Sequence, residues 1–130
     1  MIEFKYTILY VNSVAKTLEF YADVFNFEPL FITPEGDYGE LNTGSVKLAF
    51  ASHKLASTNL TEGFTPTDTL ELPAGFELGF VTDQVEVLVE KALKHGAILV
   101  EEAIVKEWGQ TVAYIRDING LLIEICTPIG

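Results

Sequence analysis

Two glutamates sit inside strand-like apolar runs, where charge is out of place. Glu124 is in the middle of Leu121-Leu122-Ile123-Glu124-Ile125-Cys126, and Glu77 interrupts Phe76-Glu77-Leu78-Gly79-Phe80-Val81. A buried, unpaired carboxylate is costly, so each must reach solvent, find a partner or hold a proton. Placed close together they would repel, one would hold a proton toward neutrality, and the two would be a candidate general acid and base. On that reading Glu77 and Glu124 are the candidate catalytic residues. The bland alternative is a wet pocket mouth, or pairing with a lysine such as Lys47. Acid/base work next to a carbonyl needs an electrophile to hold the enolate, so without one the two carboxylates suit an amine or guanidinium better.

Three other residues are candidates. His53 follows Ala49 and Ala51 at even spacing, so a strand extended that far would point it to the same side; otherwise it is a solvated residue at a strand end. Trp108 lies in Trp108-Gly109-Gln110 just before a strand-like run, where its ring can stack on a flat ligand or pack on its own sheet. Cys126 shares the alternation of Glu124, but no neighbour in sequence would lower its pKa, so an inert buried thiol is expected. Tyr38 and Tyr114 read as ordinary strand aromatics, and His95 as a helix-end residue. No phosphate loop, nucleophile elbow or zinc-protease helix motif is present.

The elements that must position these residues come twice. Tyr6 to Val11 reads as a strand, Asn12 or Ser13 can cap a helix starting near Val14, and Val14, Leu18, Tyr21 and Phe25 form its apolar stripe. The second half repeats the order: a strand over 76–82, Asp83 and Glu86 at capping-box spacing, then Val85, Leu88, Val89, Ala92 and Leu93 on one helical face, ended by His95-Gly96. Strand signals follow each helix, at Glu28 to Thr33, Tyr38 to Asn42 and Val46 to Ala51, and again at Ile98 to Val100, Thr111 to Arg116 and Leu121 to Cys126. Asn119-Gly120 reads as a two-residue type I′ hairpin turn. Val14 and Val85 stand 71 residues apart, and that shift carries Tyr6 onto Glu77. The last strands align at a shift of 75, which makes Ala49 the partner of Glu124.

The expectation is therefore an α+β chain of two βαβββ modules, 1–52 and 76–130, joined by a polar connector over 53–75 and forming one domain over 1–130. Alternation puts Leu121, Ile123, Ile125, Phe76, Leu78 and Phe80 under the helices. Glu77 and Glu124 then face the other side of a curved mixed sheet, where Gly79, Ala49 and Ala51 leave room for a pocket.

Length and composition agree. The chain has 130 residues, 48% of them hydrophobic, which is enough for such a core. With 19 acidic and 8 basic residues the net charge is −11, a field that repels phosphate backbones and makes nucleic acid an unfavourable partner. No apolar run approaches the roughly 20 residues of a membrane span, and Glu3 and Lys5 break a signal-peptide pattern. No membrane partner and a cytoplasmic location are expected. A single cysteine excludes an internal disulfide and a multi-cysteine zinc site.

With its paired modules, its YVNSVAKTLEFYADVFNF segment and its WGQTVAYIRDINGLLIEI ending, the chain resembles the vicinal oxygen chelate superfamily. That superfamily includes glyoxalase I, bleomycin-resistance proteins and extradiol dioxygenases. The resemblance implies a funnel-shaped pocket built by two modules, and a homodimer. In metal-using members four strand positions supply His, Gln or Glu ligands to one divalent ion; strand alignment carries these positions onto Tyr6, Ala49, Glu77 and Glu124. Glu124 matches the carboxylate common there. Glu77 and Tyr6 stand where histidines are usual, and Ala49 has no ligand atom. The implied cofactor is none, or a weakly held magnesium or manganese ion on Glu77 and Glu124, more suited to oxygen ligands than zinc or nickel. The leading functional expectation is binding of a small cationic or aromatic molecule in an acidic pocket, as in drug sequestration, with Tyr6, Ala49, His53 and Trp108 lining it. The alternatives are a divalent-metal-dependent lyase, isomerase or thiol transferase with an atypical ligand set, and a dimeric binding or regulatory module without chemistry.

Overall fold

The computed structural model describes residues 1–129. It holds two compact units, Met1–Pro66 and Thr67–Gly130. The first contains β1 (Tyr6–Val11), α1 (Val14–Phe25), β2 (Pro29–Ile32), β3 (Tyr38–Leu41), β4 (Lys47–Ser52) and α2 (His53–Asn59). The second contains β5 (Leu78–Val81), α3 (Val85–Lys94), β6 (Ile98–Val105), β7 (Thr111–Arg116) and β8 (Leu122–Cys126). The class is α+β, and the βαβββ order occurs twice. Each unit has a four-stranded mixed sheet, ordered β1-β4-β3-β2 in the first and β5-β8-β7-β6 in the second. The opening strand runs parallel to the closing one and the other pairs are antiparallel.

The pairing registers bear out the internal alignment. Ile8 pairs with Ala49 in the first unit and Gly79 with Glu124 in the second. The equivalent residues are thus offset by 71 on the opening strands and 75 on the closing ones. Ala49 is the structural counterpart of Glu124.

Each sheet buries one face under its helix. In the first unit Ser13 caps α1 by accepting from the Lys16 N–H at 3.2 Å, and Asn26, at φ 60°, ends it in the left-handed region. The buried stripe Val14, Leu18, Tyr21 and Val24 packs over Leu9, Leu41, Leu48 and Phe50, with the Tyr21 and Phe50 rings 5.1 Å apart. Gly39 permits the close approach: a Cβ there would sit 2.7 Å from Leu18 Cδ1 and 3.1 Å from the Phe31 carbonyl oxygen. In the second unit Val85, Val89 and Ala92 of α3 lie over Ala113, Ile115, Ile123 and Ile125. The opposite faces of both sheets are left for other work.

Several local expectations are corrected. The first residue of α3 follows Gln84, which caps with no side-chain hydrogen bond, so Asp83 and Glu86 do not form a capping box. Segment 53–59, read as connector, is helical because Ser52 accepts from the Leu55 N–H at 3.1 Å and caps it. Strand β6 continues past Val100 to Val105 as an exposed edge. The turn before β8 is not a two-residue type I′ turn. Asp117 N–H donates to Leu121 O and Gly120 N–H to Asp117 O, and of Asn119 and Gly120 only Gly120, at φ +88°, has positive φ. This is a bulged hairpin with one extra loop residue, and the Asp117 carboxylate fixes it by accepting from the N–H groups of Asn119 and Leu121.

Arg116, 7% exposed, secures the chain that leads into the second unit. Its guanidinium donates to the carbonyls of Gly120 at 2.9 Å, Glu71 at 2.7 Å, Asp68 at 2.8 Å and Thr69 at 3.4 Å. Gly120 must be glycine twice over, because a Cβ there would meet Arg116 Nη2 at 2.8 Å and the Asp68 main chain at 3.0 Å.

Candidate functional site

The open face of the second sheet gathers the chemistry. Glu124, at the centre of β8, has Gly79 of β5 on one side and Tyr114 of β7 on the other. Glu77 lies one residue before β5. Its carboxyl lies beside that of Glu124, close enough for the two to share a proton. Hydrogen bonding between the two carboxyls, then burial, then the charge of Glu124 push Glu77 up to about 7. The pair therefore holds one proton below about pH 7 and releases it above. A Cβ on Gly79 would meet nothing within 4 Å, so the space beside Glu124 is open.

Two polar groups flank the pair. Burial and then the nearby Glu124 and Glu77 carboxyls raise the Tyr114 hydroxyl above its ordinary range, so it stays a neutral donor. Burial and then Glu124 likewise raise the Cys126 thiol, with Gln110 opposing the shift by a hydrogen bond. A protonated, buried thiol is no nucleophile. Gln110, 8% exposed, accepts from the Trp108 indole N–H at 2.8 Å and donates to the Thr127 carbonyl at 2.8 Å. Trp108 is thus pinned by its edge while 66% exposed. Two clefts of this unit lie elsewhere: one of about 250 Å³ at the start of α3, and one of about 320 Å³ lined by Val89, Leu93, Leu99 and Ala103.

The remaining candidates fall in the first unit. Tyr6 begins β1, half exposed, opposite Lys47. Ala49 is fully buried between Ile8 and Glu40. His53 does not continue the alternation of β4, because Ser52 caps and His53 opens α2. Its ring lies 5.7 Å from Phe64, which in turn meets Tyr10 at 4.9 Å. Its Nε2 is buried and has no hydrogen-bond partner among the described residues.

The donor set around Glu77 and Glu124 does not fit zinc, nickel or iron. It offers two carboxylates and no imidazole, and the thiol beside them is held protonated. Among the described residues no group of three or more His, Cys, Asp or Glu is placed to hold a metal ion. The sequence reading missed Tyr114 and Gln110. Alternation could have put Gln110 in register with the face of Tyr114, but Tyr114 meets Glu124 only because of the turn type.

Comparison with known proteins agrees with this architecture. The family model for the glyoxalase-like domain matches residues 4–130. A glyoxalase-related enzyme from Fulvimarina pelagi superposes with a TM-score of 0.83 at 17% identity, over 98% of this chain and 89% of that one. A glyoxalase/bleomycin resistance protein/dioxygenase family enzyme from Burkholderia phytofirmans PsJN gives 0.79 at 21%, over 97% and 98%. A superfamily member from Sphaerobacter thermophilus gives 0.70 at 14%, over 98% of both chains. At these identities the likenesses show the fold alone. No curated protein matches the chain in sequence.

Proposed function

We propose that this chain, which belongs to the glyoxalase-like domain family, uses the carboxyl pair of its second unit to bind a small organic cation with a flat, aromatic body, and does so without a metal. The observation that supports this reading is the apposition of the Glu77 and Glu124 carboxyls beside Gly79 on an open sheet face. An amidinium or ammonium entering beside Gly79 takes the place of the shared proton between two carboxylates, and charge-assisted hydrogen bonds replace the one lost. The Tyr114 hydroxyl offers a further neutral hydrogen-bonding group, and the exposed Trp108 ring an apolar platform. Holding a ligand in this way, as sequestration requires, needs no electrophile.

Calorimetric titration of the full chain with benzamidine tests the reading. Because the shared proton near 7 must leave, affinity should rise about tenfold from pH 6 to pH 8. It should fall by tenfold or more in the Glu77→Gln, Glu124→Gln double variant. Equal binding of the neutral analogue benzamide, or no binding of benzamidine at pH 8, would overturn it.

A further inference from the structure

The cleft between α3 and β6 lies on the other side of the second sheet from the carboxyl pair. Leu99 of β6 pairs with Ile115, which packs under α3, whereas Glu124 pairs with Tyr114, the preceding residue of β7, on the open side. The cleft has a volume of about 320 Å³. Its floor is apolar, made by Val89 and Leu93 of α3 with Leu99 and Ala103 of β6, and its rim carries Glu86, Glu90 and Glu102.

The local sequence explains both walls. On α3, Glu86, Val89, Glu90 and Leu93 recur at i, i+3, i+4 and i+7, so they share one face over about two turns, roughly 10 Å. On β6, strict alternation would set Glu101 with Leu99 and Ala103. The pairing with β7 slips between Leu99 and Glu101 and again between Glu101 and Ile104, so Glu101 falls opposite Tyr114 and Glu102 lines the cleft beside Ala103. Val89 is buried, while Leu93 and Leu99 stay 37% and 38% exposed.

The rim is short of positive charge. Among the described residues Glu90 meets Lys94 at 3.5 Å on the surface, and no ion pair includes Glu86 or Glu102. An occupant must bring apolar side chains for the floor and more than one cation for acids on both walls. A small monocation answers only one of the three carboxylates. A second copy of this chain is a poor complement, because it has 8 basic residues against 19 acidic ones, and its α1 and α3 hold one and two lysines beside acids of their own. An amphipathic helix with large apolar anchors one turn apart and lysine or arginine on its flanks meets floor and rim together. The net charge of −11 draws such a helix in.

We propose that the α3–β6 cleft is a docking groove for a basic amphipathic helix of a partner protein. The groove shares no residue with the carboxyl pair and lies on the opposite sheet face, so it stands whether or not that pair binds a cation.

The test is an NMR titration of the full chain with the synthetic helical peptide acetyl-LKKLLKLLKKLLKL-amide, beside a scrambled peptide of the same composition and hexylamine as a small cation. The helical peptide should shift the amides of residues 86–93 and 99–103 saturably, with the scrambled peptide at least tenfold weaker. The Glu86→Gln, Glu90→Gln, Glu102→Gln variant should weaken it by tenfold or more. Leu93→Gln and Leu99→Gln, which keep the charge, should each weaken it a few-fold. The Glu77→Gln, Glu124→Gln variant should bind it as the parent does. Four results would each overturn the proposal: no saturable shifts at these amides, equal binding of the scrambled peptide, hexylamine binding there as tightly as the helix, or a loss in the Glu77, Glu124 variant as large as that in the rim variant.

Discussion

Gly79 lies directly beside Glu124 in the parallel pairing of β5 with β8, and a methyl group at position 79 would touch nothing within 4 Å. Gly79→Ala should therefore leave benzamidine binding nearly intact and raise stability by about 0.5–1 kcal/mol, through a less flexible unfolded chain. Gly79→Leu should fill the space beside Glu124 and weaken binding tenfold or more, with the unfolding midpoint little changed. Calorimetry and thermal melts on the two variants check both halves of the statement.

Stability should respond to pH through Glu77. Its pKa, raised from 4.5 to about 7 in the folded chain, means that the native state holds a proton which the unfolded state has released. This contribution is complete below about pH 4.5 and is lost as pH rises through about 7. Glutamine at 77 cannot ionise, so the difference in melting temperature between Glu77→Gln and the parent should move in the variant's favour from pH 5 to pH 8. Parallel curves would show that no such proton exists.

Arg116 carries a structural prediction. Arg116→Met leaves the carbonyls of Asp68, Glu71 and Gly120 without their donor, at a cost of roughly 2–5 kcal/mol. Chemical denaturation reads the loss. Hydrogen exchange and limited proteolysis should both quicken at residues 68–71 before the rest of the unit opens. Gly120→Ala should produce a similar defect from the other side, since its side chain would collide with Asp68 and strain a left-handed residue.

The donor set makes a prediction about metals. Chelator-stripped protein should give no saturable heat, at one ion per chain, with zinc or nickel. A micromolar site lost in the Glu77→Gln, Glu124→Gln variant would reverse the reading of the pair and direct attention to metal-dependent chemistry.

Much of the fold was legible because its signals are local and periodic. The stripe Val14, Leu18 and Tyr21, capped by Ser13, marks α1 within one residue, and the repeated order with shifts of 71 and 75 shows which residues of the two modules are equivalent. The Glu77 and Glu124 runs stood out because a carboxylate breaks an apolar strand. Contact between the two depends on how strands β5 and β8 pair, and sequence spacing does not encode that.

The turn at Asn119-Gly120 shows how a local error spreads. A two-residue loop pairs Ile118 with Leu121 and would set Tyr114 opposite Ile125, on the helix side. The extra loop residue, stabilised by Asp117, moves the register by one and brings Tyr114 to Glu124. Arg116 gave no signal at all, because its partners are main-chain carbonyls, one of them four residues on at Gly120 and the others 45 to 48 residues away.

Arg116 grips carbonyls and no side chain of the stretch from Asp68 to Glu71, whose own turn is shaped by the Asp68 carboxylate accepting from the Leu70 N–H at 2.9 Å. Its side chains are exposed, Leu70 almost completely. The residues at 69–71 can be rewritten while Asp68 and the backbone path are kept, which makes this the natural place to graft an epitope or a fluorophore-bearing residue that reports on the second unit without touching its acids.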